Sequence, residues 1–416
     1  MKILYIHQYF NTPREPGGTR SYWFAKELVA NGHEVVMLTS RRKSQQQKYI
    51  ERKNIDGIKI IYVDNPYNNQ MGILSRFWSF FKFMVVSTWL GLKEKKVDLV
   101  YATSTPLSVG VPALFIKWIN GTRFLFEVRD LWPEVPIQMG AIKNKLVIKG
   151  LQWYEKLIYQ SASHIVALSP GMAQGVMDYG IKPEKVSMIP NMAKKDEFFI
   201  RQLNHEFAKA YQINTNHFNA VHFGTMGTAN GLKYIIEAAL HLKEQGITHI
   251  DFIFLGKGRV EPELMNICQE KGLTNVKFLG RYPMDIVSEI VNICDCSIVT
   301  FLNLPILYTN SPNKFFDSLS AGKPVIVNSA GWTKDIVEEH NCGVYVDPEN
   351  PAELANVLLK MSRHPEWVQD MSGNSRRLAE EVYDKSILCK QFVRIIEAFD
   401  EQKRKKERRK NLISEY

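Results

Sequence analysis

The sequence lacks the cysteine pattern of a secreted or zinc-bound protein. Its five cysteines are odd in number, fall in the second half, and include no Cys-x-x-Cys pair. That excludes a disulfide framework and predicts buried thiols in a reducing cytosol. Cys294 and Cys296 lie in the apolar run 291–301, which reads as core and not as a metal site. No cleavable leader pattern accompanies Met1 to His7, already a strand, so export is not expected. No Asp-x-Asp pair is evident, so no divalent metal is expected. Acidic residues are in deficit, 43 against 53 Lys and Arg, for a formal charge of +10. Seven of the basic residues fall between Glu401 and Lys410, which reads as a solvated helical tail or as a contact for anionic lipid headgroups. No zinc-finger spacing, aromatic RNA-binding signature or basic zipper accompanies the charge, so nucleic acid is not an expected partner. No internal repeat is found.

With 416 residues, 45% of them hydrophobic, the chain is long enough for two α/β domains with separate cores. The first half alternates strand and helix. Lys2 to Gln8 reads as a strand, Ser21 to Asn31 as an amphipathic helix stopped by Gly32, and Glu34 to Thr39 as the next strand. Further strands are expected at 57–63, 99–102, 123–128 and 164–168. The polar stretch 192–219 reads as a linker with a short helix. A second alternation follows, with strands at 219–224, 250–255, 276–279, 296–300, 325–328 and 343–346, and a long final helix at 386–399.

The densest signal runs from Ser311 to Asn328, Ser-Pro-Asn-Lys-Phe-Phe-Asp-Ser-Leu-Ser-Ala-Gly-Lys-Pro-Val-Ile-Val-Asn. Asn313 to Leu319 reads as one or two helical turns, ended by Ala321-Gly322-Lys323-Pro324 ahead of a strand. Such a helix start attracts phosphate, and Lys314 adds a full charge to the free amides. Asp317, one turn on, is a candidate acceptor for ribose hydroxyls. This segment resembles the donor-nucleotide motif of family 4 glycosyltransferases, retaining enzymes of the GT-B fold. The resemblance implies two Rossmann-like lobes facing a cleft: 1–192 for the acceptor, 193–216 as linker, 217–383 for the nucleotide sugar, and 384–416 as a helix crossing back with a basic tail.

Other motifs take their roles from that resemblance. Glu15-Pro16-Gly17-Gly18-Thr19-Arg20 occupies the place of the family's Gly-Gly loop facing the donor diphosphate, with Arg20 expected on the acceptor side. Phe126 to Glu134, Phe-Glu-Val-Arg-Asp-Leu-Trp-Pro-Glu, packs acids and an arginine at a strand's C-terminal end, where open α/β sheets place ligands. Asp130 first and Glu127 second are candidates for a base at the acceptor hydroxyl, with Arg129 beside them. Many relatives carry histidine in place of Arg129, and this wording resembles an L-fucosamine transferase-like branch of bacterial surface polysaccharide synthesis. After the strand at 219–224 come Gly224, Thr225 and Asn230. Relatives often hold the diphosphate with Arg and Lys at the positions of Thr225 and Asn230. Lys314, then Lys257 or Arg259, are the substitute cations. The family's paired glutamates map to Thr309 and Asp317, so contacts to the sugar fall to Asn310, Ser311 or Asn313. Arg281 and Tyr282 lie where the family's backbone meets the nucleobase.

Arg76 to Leu92, with Trp78, Phe81, Lys82 and Trp89, is shorter than the roughly 20 residues that span a bilayer. It reads as a buried helix or as an in-plane helix on anionic lipid, and the second reading is adopted. The implied activity is transfer of a sugar from a UDP-sugar, with no metal or other cofactor, to a polyprenyl-diphosphate-linked saccharide at the inner face of the plasma membrane. The sugar is N-acetyl-fucosamine or a related N-acetylhexosamine. The rivals are a nucleotide-sugar epimerase on the same fold and a non-catalytic nucleotide-sugar-binding subunit.

Overall fold

Short apolar runs rich in Val, Ile, Leu and Phe make strands buried on both faces, which parallel sheets need because helices cover both sides. The computed structural model describes residues 1–15, 17–41, 48–67 and 71–414, with side chains undescribed at 73, 74 and beyond 401. Pro16 of the glycine loop and the side chains of the basic tail lie outside the described residues.

The first sheet runs in the order β3-β4-β2-β1-β5-β6-β7-β8. Its strands are β1 (Lys2–Ile6), β2 (Glu34–Arg41), β3 (Ile50–Ile55), β4 (Ile58–Asp64), β5 (Leu99–Thr103), β6 (Phe124–Val128), β7 (His164–Ala167) and β8 (Val186–Met188). All neighbours are parallel except β3 and β4, a hairpin turned by Asp56 and Gly57 at φ 51° and 83°. Two positive φ values match the twist of a two-residue hairpin. The second sheet holds β9 (Phe218–Phe223), β10 (Ile250–Leu255), β11 (Val276–Gly280), β12 (Cys296–Val299), β13 (Val325–Val327) and β14 (Gly343–Tyr345), all parallel, in the order β11-β10-β9-β12-β13-β14. In each lobe the order reverses at the first strand, β1 or β9, which opens a crevice at the strands' C-terminal ends.

Helices Ile73–Lys93, Gly110–Asn120 and Lys145–Ser161 cover one face of the first sheet through Phe83, Leu90, Ile116 and Ile158. The other face is covered by Arg20–Ala30 and by the final helix, which runs from Lys385 to Ser414 and is longer than expected. Phe392 stacks on Phe24 at 4.1 Å and meets Tyr101 edge-on at 4.8 Å, so the last helix does return to the first lobe. The polar stretch after Met192 holds the short helix His205–Ala210. Near the cleft, the 3-10 turn Pro305–Thr309 buries Ile306 and Leu307 in the first lobe's core, and the Ile306 amide donates to Gln138.

Arg20 and Glu127 form a buried ion pair at 2.8 Å, with side chains 1% and 0% exposed. Arg20 also donates to the carbonyls of Ile189 and Pro190, and Thr103 donates to the second oxygen of Glu127. Arg20 is therefore enclosed and does not face an acceptor. Burial pushes the Glu127 carboxyl up, but Arg20, Arg129 and Thr103 together hold it below its ordinary value. Glu127→Gln leaves the guanidinium uncompensated and is expected to cost roughly 3–5 kcal/mol, measured by urea unfolding. Pairing it with Arg20→Met recovers only part of the loss, because the Ile189 and Pro190 carbonyls then lose their donor.

Candidate active site

The helix Asn313–Ser320 starts at the cleft and aims Lys314 across the end of β9. The Lys314 amine lies 3.2 Å from His222 Nε2 and donates to Asn230 Oδ1 at 3.2 Å. His222 Nδ1 is 3.1 Å from the Ile298 carbonyl, which only accepts, so Nδ1 carries the proton and Nε2 accepts from the lysine. Burial and the Lys314 charge keep His222 neutral, well below its usual pKa. Both partners of the lysine are thus uncharged. Among the described residues no carboxylate pairs with Lys314, and burial draws its pKa down to about 7. A buried ammonium without a counter-charge favours an incoming anion.

The floor beneath it is backbone. A side-chain carbon on Gly224 would sit 3.6 Å from Lys314 Cε, and Gly224 is exposed at φ 115°. Gly256 packs so closely that a Cβ there would meet the Gly224 carbonyl at 1.9 Å, so only glycine fits. Asn230 donates to the Thr225 carbonyl at 2.8 Å, which fixes that loop and orients its own oxygen to the lysine. Thr225 is exposed.

The first lobe supplies the opposite wall. A Cβ on Gly18 would lie 3.5 Å from Asn313 Nδ2 and 3.6 Å from Arg129 Nη2, so the glycine loop comes close to both the start of the helix Asn313–Ser320 and the residue after β6. Gly17, at φ 133°, precedes it. Arg129 Nη1 lies 3.5 Å from His7 Nε2 at the end of β1. Thr105 donates to Asp130 at 3.1 Å; burial raises the Asp130 pKa, with Arg129 opposing. A raised carboxyl beside a cation is a suitable proton acceptor.

Gly18 thus lies near Arg129 and Asn313, and Lys314 lies near Gly224 and bonds to Asn230, so these residues gather around the start of the helix Asn313–Ser320. Other expected site residues do not join them. Glu127 is enclosed by Arg20 and Thr103. Ser311 ties the lobes instead, accepting at Oγ from the Asn191 amide and at its carbonyl from the Asn191 side chain. Asp317 is buried and paired at 3.2 Å with Lys194, which also meets Glu197. Burial lifts the Asp317 pKa to about 6 against the pull of Lys194. Lys257, Arg259 and Arg281 are exposed at the rim, with Lys257 Cε 3.8 Å from where a Cβ on Gly280 would stand. The Tyr282 ring turns to Tyr211 at 5.2 Å, inside an aromatic cluster. His222, His7, Lys194 and Asn191 were not singled out from sequence. The position of His222 at the C-terminal end of an apolar strand was the signal available for it.

The helix expected at 76–92 runs from Ile73 to Lys93 and has one buried side and one exposed side. Phe83 and Leu90 are core, whereas Trp78, Phe81 and Trp89 are exposed by 63%, 42% and 49%. No helix among the described residues is long and apolar enough to cross a membrane.

Residues 17–192 match the glycosyl transferase 4-like domain and 204–378 match the glycosyl transferases group 1 domain. With the two facing lobes, these matches define a GT-B glycosyltransferase, and the chain belongs to the enzymes that combine these two domains. It is similar to the Pseudomonas aeruginosa protein "Probable glycosyltransferase WbjE", 22% identical over 79% of this chain and 81% of that one. Among solved structures it resembles sucrose-phosphate synthase from Thermosynechococcus elongatus, with TM-score 0.77 and 14% identity over 96% of this chain and 99% of that one. Anabaena HepE, solved with UDP and glucose, aligns at TM-score 0.70 and 19% identity over 95% of this chain and 99% of that one.

A diphosphate beside Lys314 restores its ammonium, so binding above pH 7 takes up a proton. The affinity for a nucleoside diphosphate is expected to weaken as pH rises through about 7, approaching about tenfold per unit. Calorimetry in buffers of different ionisation heat reads the proton directly. Lys314→Met removes both the uptake and the pH slope.

Proposed function

We propose that this glycosyltransferase moves a sugar from a UDP-sugar to a polyprenyl-diphosphate-linked saccharide, with retention of configuration, in bacterial surface polysaccharide synthesis. The observation that carries the reading is Lys314, an ammonium with neutral partners poised over Gly224, on the helix start that the glycine loop approaches. A departing diphosphate supplies the missing negative charge there, and its developing charge is met by Lys314 and by nearby backbone amides. The acceptor hydroxyl loses its proton to a phosphate oxygen on the same face, or to Asp130. In this reading Arg129 and Asn313 flank the transferred sugar, and the resemblance to the L-fucosamine transferase-like branch supports N-acetyl-fucosamine or a related N-acetylhexosamine.

A lipid-borne acceptor is supported by the outer side of the three helices on the first sheet. Trp78, Trp118 and Trp153, one from each helix, are exposed by 63%, 55% and 66%. Together the helices carry seven Lys and Arg and a single acid, Glu155, which is buried. Aromatic rings among cations suit an anionic headgroup layer, so the enzyme works as a peripheral protein on the inner face of the plasma membrane. An epimerase acting on a soluble nucleotide sugar has no use for such a face.

UDP, GDP, ADP and NAD are to be compared as protectants against thermal unfolding. UDP at a hundred times its dissociation constant should add about 2.7 kcal/mol, and Lys314→Ala should lose that protection. Absence of protection by any nucleotide defeats the donor site. The charge compensation is expected from protein groups alone, so transfer persists in EDTA; activity abolished by the chelator and restored by manganese overturns that part.

A further inference from the structure

Arg129 brings a cation to the cleft from the first lobe. It directly follows β6 and is half-buried, and its backbone amide donates to the Ser104 hydroxyl at 2.9 Å, which fixes the main chain at the strand's end. Nη1 lies 3.5 Å from His7 Nε2. A guanidinium only donates, so the imidazole accepts there and brings no negative charge. The acids beside it in sequence are engaged elsewhere: Glu127 accepts from Arg20 and Thr103, and Asp130 accepts from Thr105. Among the described residues Arg129 forms no ion pair.

The other edge of the guanidinium faces the second lobe. Nη2 lies 3.6 Å from the point where a Cβ on Gly18 would stand, and Asn313 Nδ2 lies 3.5 Å from that same point. Both nitrogens are donors. Space reached by N–H groups from two sides suits an atom that only accepts, such as a phosphate oxygen. Asn313 is the first residue of the helix Asn313–Ser320, and Lys314 follows it. Arg129 and Lys314 therefore approach one helix start from opposite lobes, Arg129 beside Gly18 and Lys314 beside Gly224. Lys257 and Arg259 stay exposed at the rim. A diphosphate carries more negative charge than a single ammonium balances, and a guanidinium fork can hold two oxygens of one phosphate.

We propose that Arg129 binds the β-phosphate of the donor, opposite Lys314, and is a catalytic residue for the departure of the nucleoside diphosphate. The proposal rests on the reading of a nucleotide-sugar donor and deepens it by naming the cation that the first lobe supplies. When the bond between the anomeric carbon and the β-phosphate oxygen breaks, its electron pair stays on that oxygen. The acceptor oxygen bonds to the carbon, and its proton passes to a phosphate oxygen or to Asp130. The negative charge gained by the diphosphate is then met by Lys314 from one lobe and by Arg129 from the other. Bond breaking is thereby tied to the assembled cleft.

Calorimetry in EDTA compares UDP, UMP and inorganic diphosphate on the full-length wild type and on Arg129→Met, Arg129→Lys and Gly18→Ala. UDP differs from UMP by the β-phosphate alone. Arg129→Met is expected to weaken UDP by about tenfold or more and UMP by less than about twofold. Arg129→Lys keeps the charge without the fork and recovers part of the loss. The carbon added by Gly18→Ala stands at ordinary contact distance from both nitrogens, so this variant folds, and it weakens UDP selectively by filling the place of the phosphate oxygen. Retained UMP binding shows that a variant is folded, and Gly18→Ala and Arg129→Lys carry the test where Arg129→Met is not. UDP binding unaltered in folded Arg129→Met overturns the proposal, as do equal losses for UDP and UMP. Inorganic diphosphate bound by the wild type and weakened in Arg129→Met, with no binding of UDP or UMP, keeps Arg129 as a phosphate ligand and sinks the UDP-sugar reading instead. A wild type that binds neither UDP nor inorganic diphosphate overturns both.

Discussion

The buried contact between Arg20 and Glu127 is the constraint on which the cleft depends. Isolated from water, such a pair gains little net free energy over an apolar replacement, so its contribution is geometric. Arg20 starts the helix that follows the Gly17–Gly18 loop, and its guanidinium spreads to three places at once: Glu127 at the end of β6, and the carbonyls of Ile189 and Pro190. The next residue, Asn191, grips Ser311 in the second lobe. One cation therefore sets the glycine loop against the strand end that bears Arg129 and Asp130, and sets both against the segment that leads to the helix Asn313–Ser320. Were the pair exposed, solvent screening would loosen all of these relations together.

Lys314 and Lys194 show how burial assigns two lysines opposite tasks around one helix. Lys194 is buried against Asp317 and Glu197, and these acids raise its pKa against the desolvation that would lower it. It is a completed contact between the linker and the helix Asn313–Ser320. Lys314, three residues before Asp317, meets only a neutral imidazole and an amide, and desolvation is left unopposed. The first arrangement fixes position, and the second stores an unmet demand for negative charge. The tautomer of His222 keeps it so: with Nδ1 donating to Ile298, the ring can only accept from the lysine and adds no charge of its own.

Most of the fold was legible because a parallel sheet buried on both faces writes its strands as apolar runs. The β3–β4 hairpin was missed although Asp56-Gly57 is a strong two-residue turn signal; β3 carries Glu51, Arg52 and Lys53, and an edge strand with one wet face lacks the apolar run that marked the others. At the site, Asn313 and Lys314 were read from the local pattern of a helix start, whereas the place of Gly18 beside them came from the family resemblance. Arg20 and Glu127 were not, because 107 residues separate them and nothing local says that two charges will be buried against each other. The same applies to Asp317, whose partner lies in the linker. Local sequence shows which groups exist, and only the tertiary fold shows which of them are already spent.

The helix Ile73–Lys93 carries that lesson into function. A choice between core helix and surface helix is false for a sequence apolar on nearly every side, because it packs Phe83 and Leu90 inward while Trp78 and Trp89 remain outside. A helix with one apolar face needs one partner, and this one has the sheet. Its second apolar face is costly in water unless something covers it. The cations around that face, including Lys93 at 3.8 Å over the Trp89 ring, favour a cover that is anionic at its surface and apolar beneath.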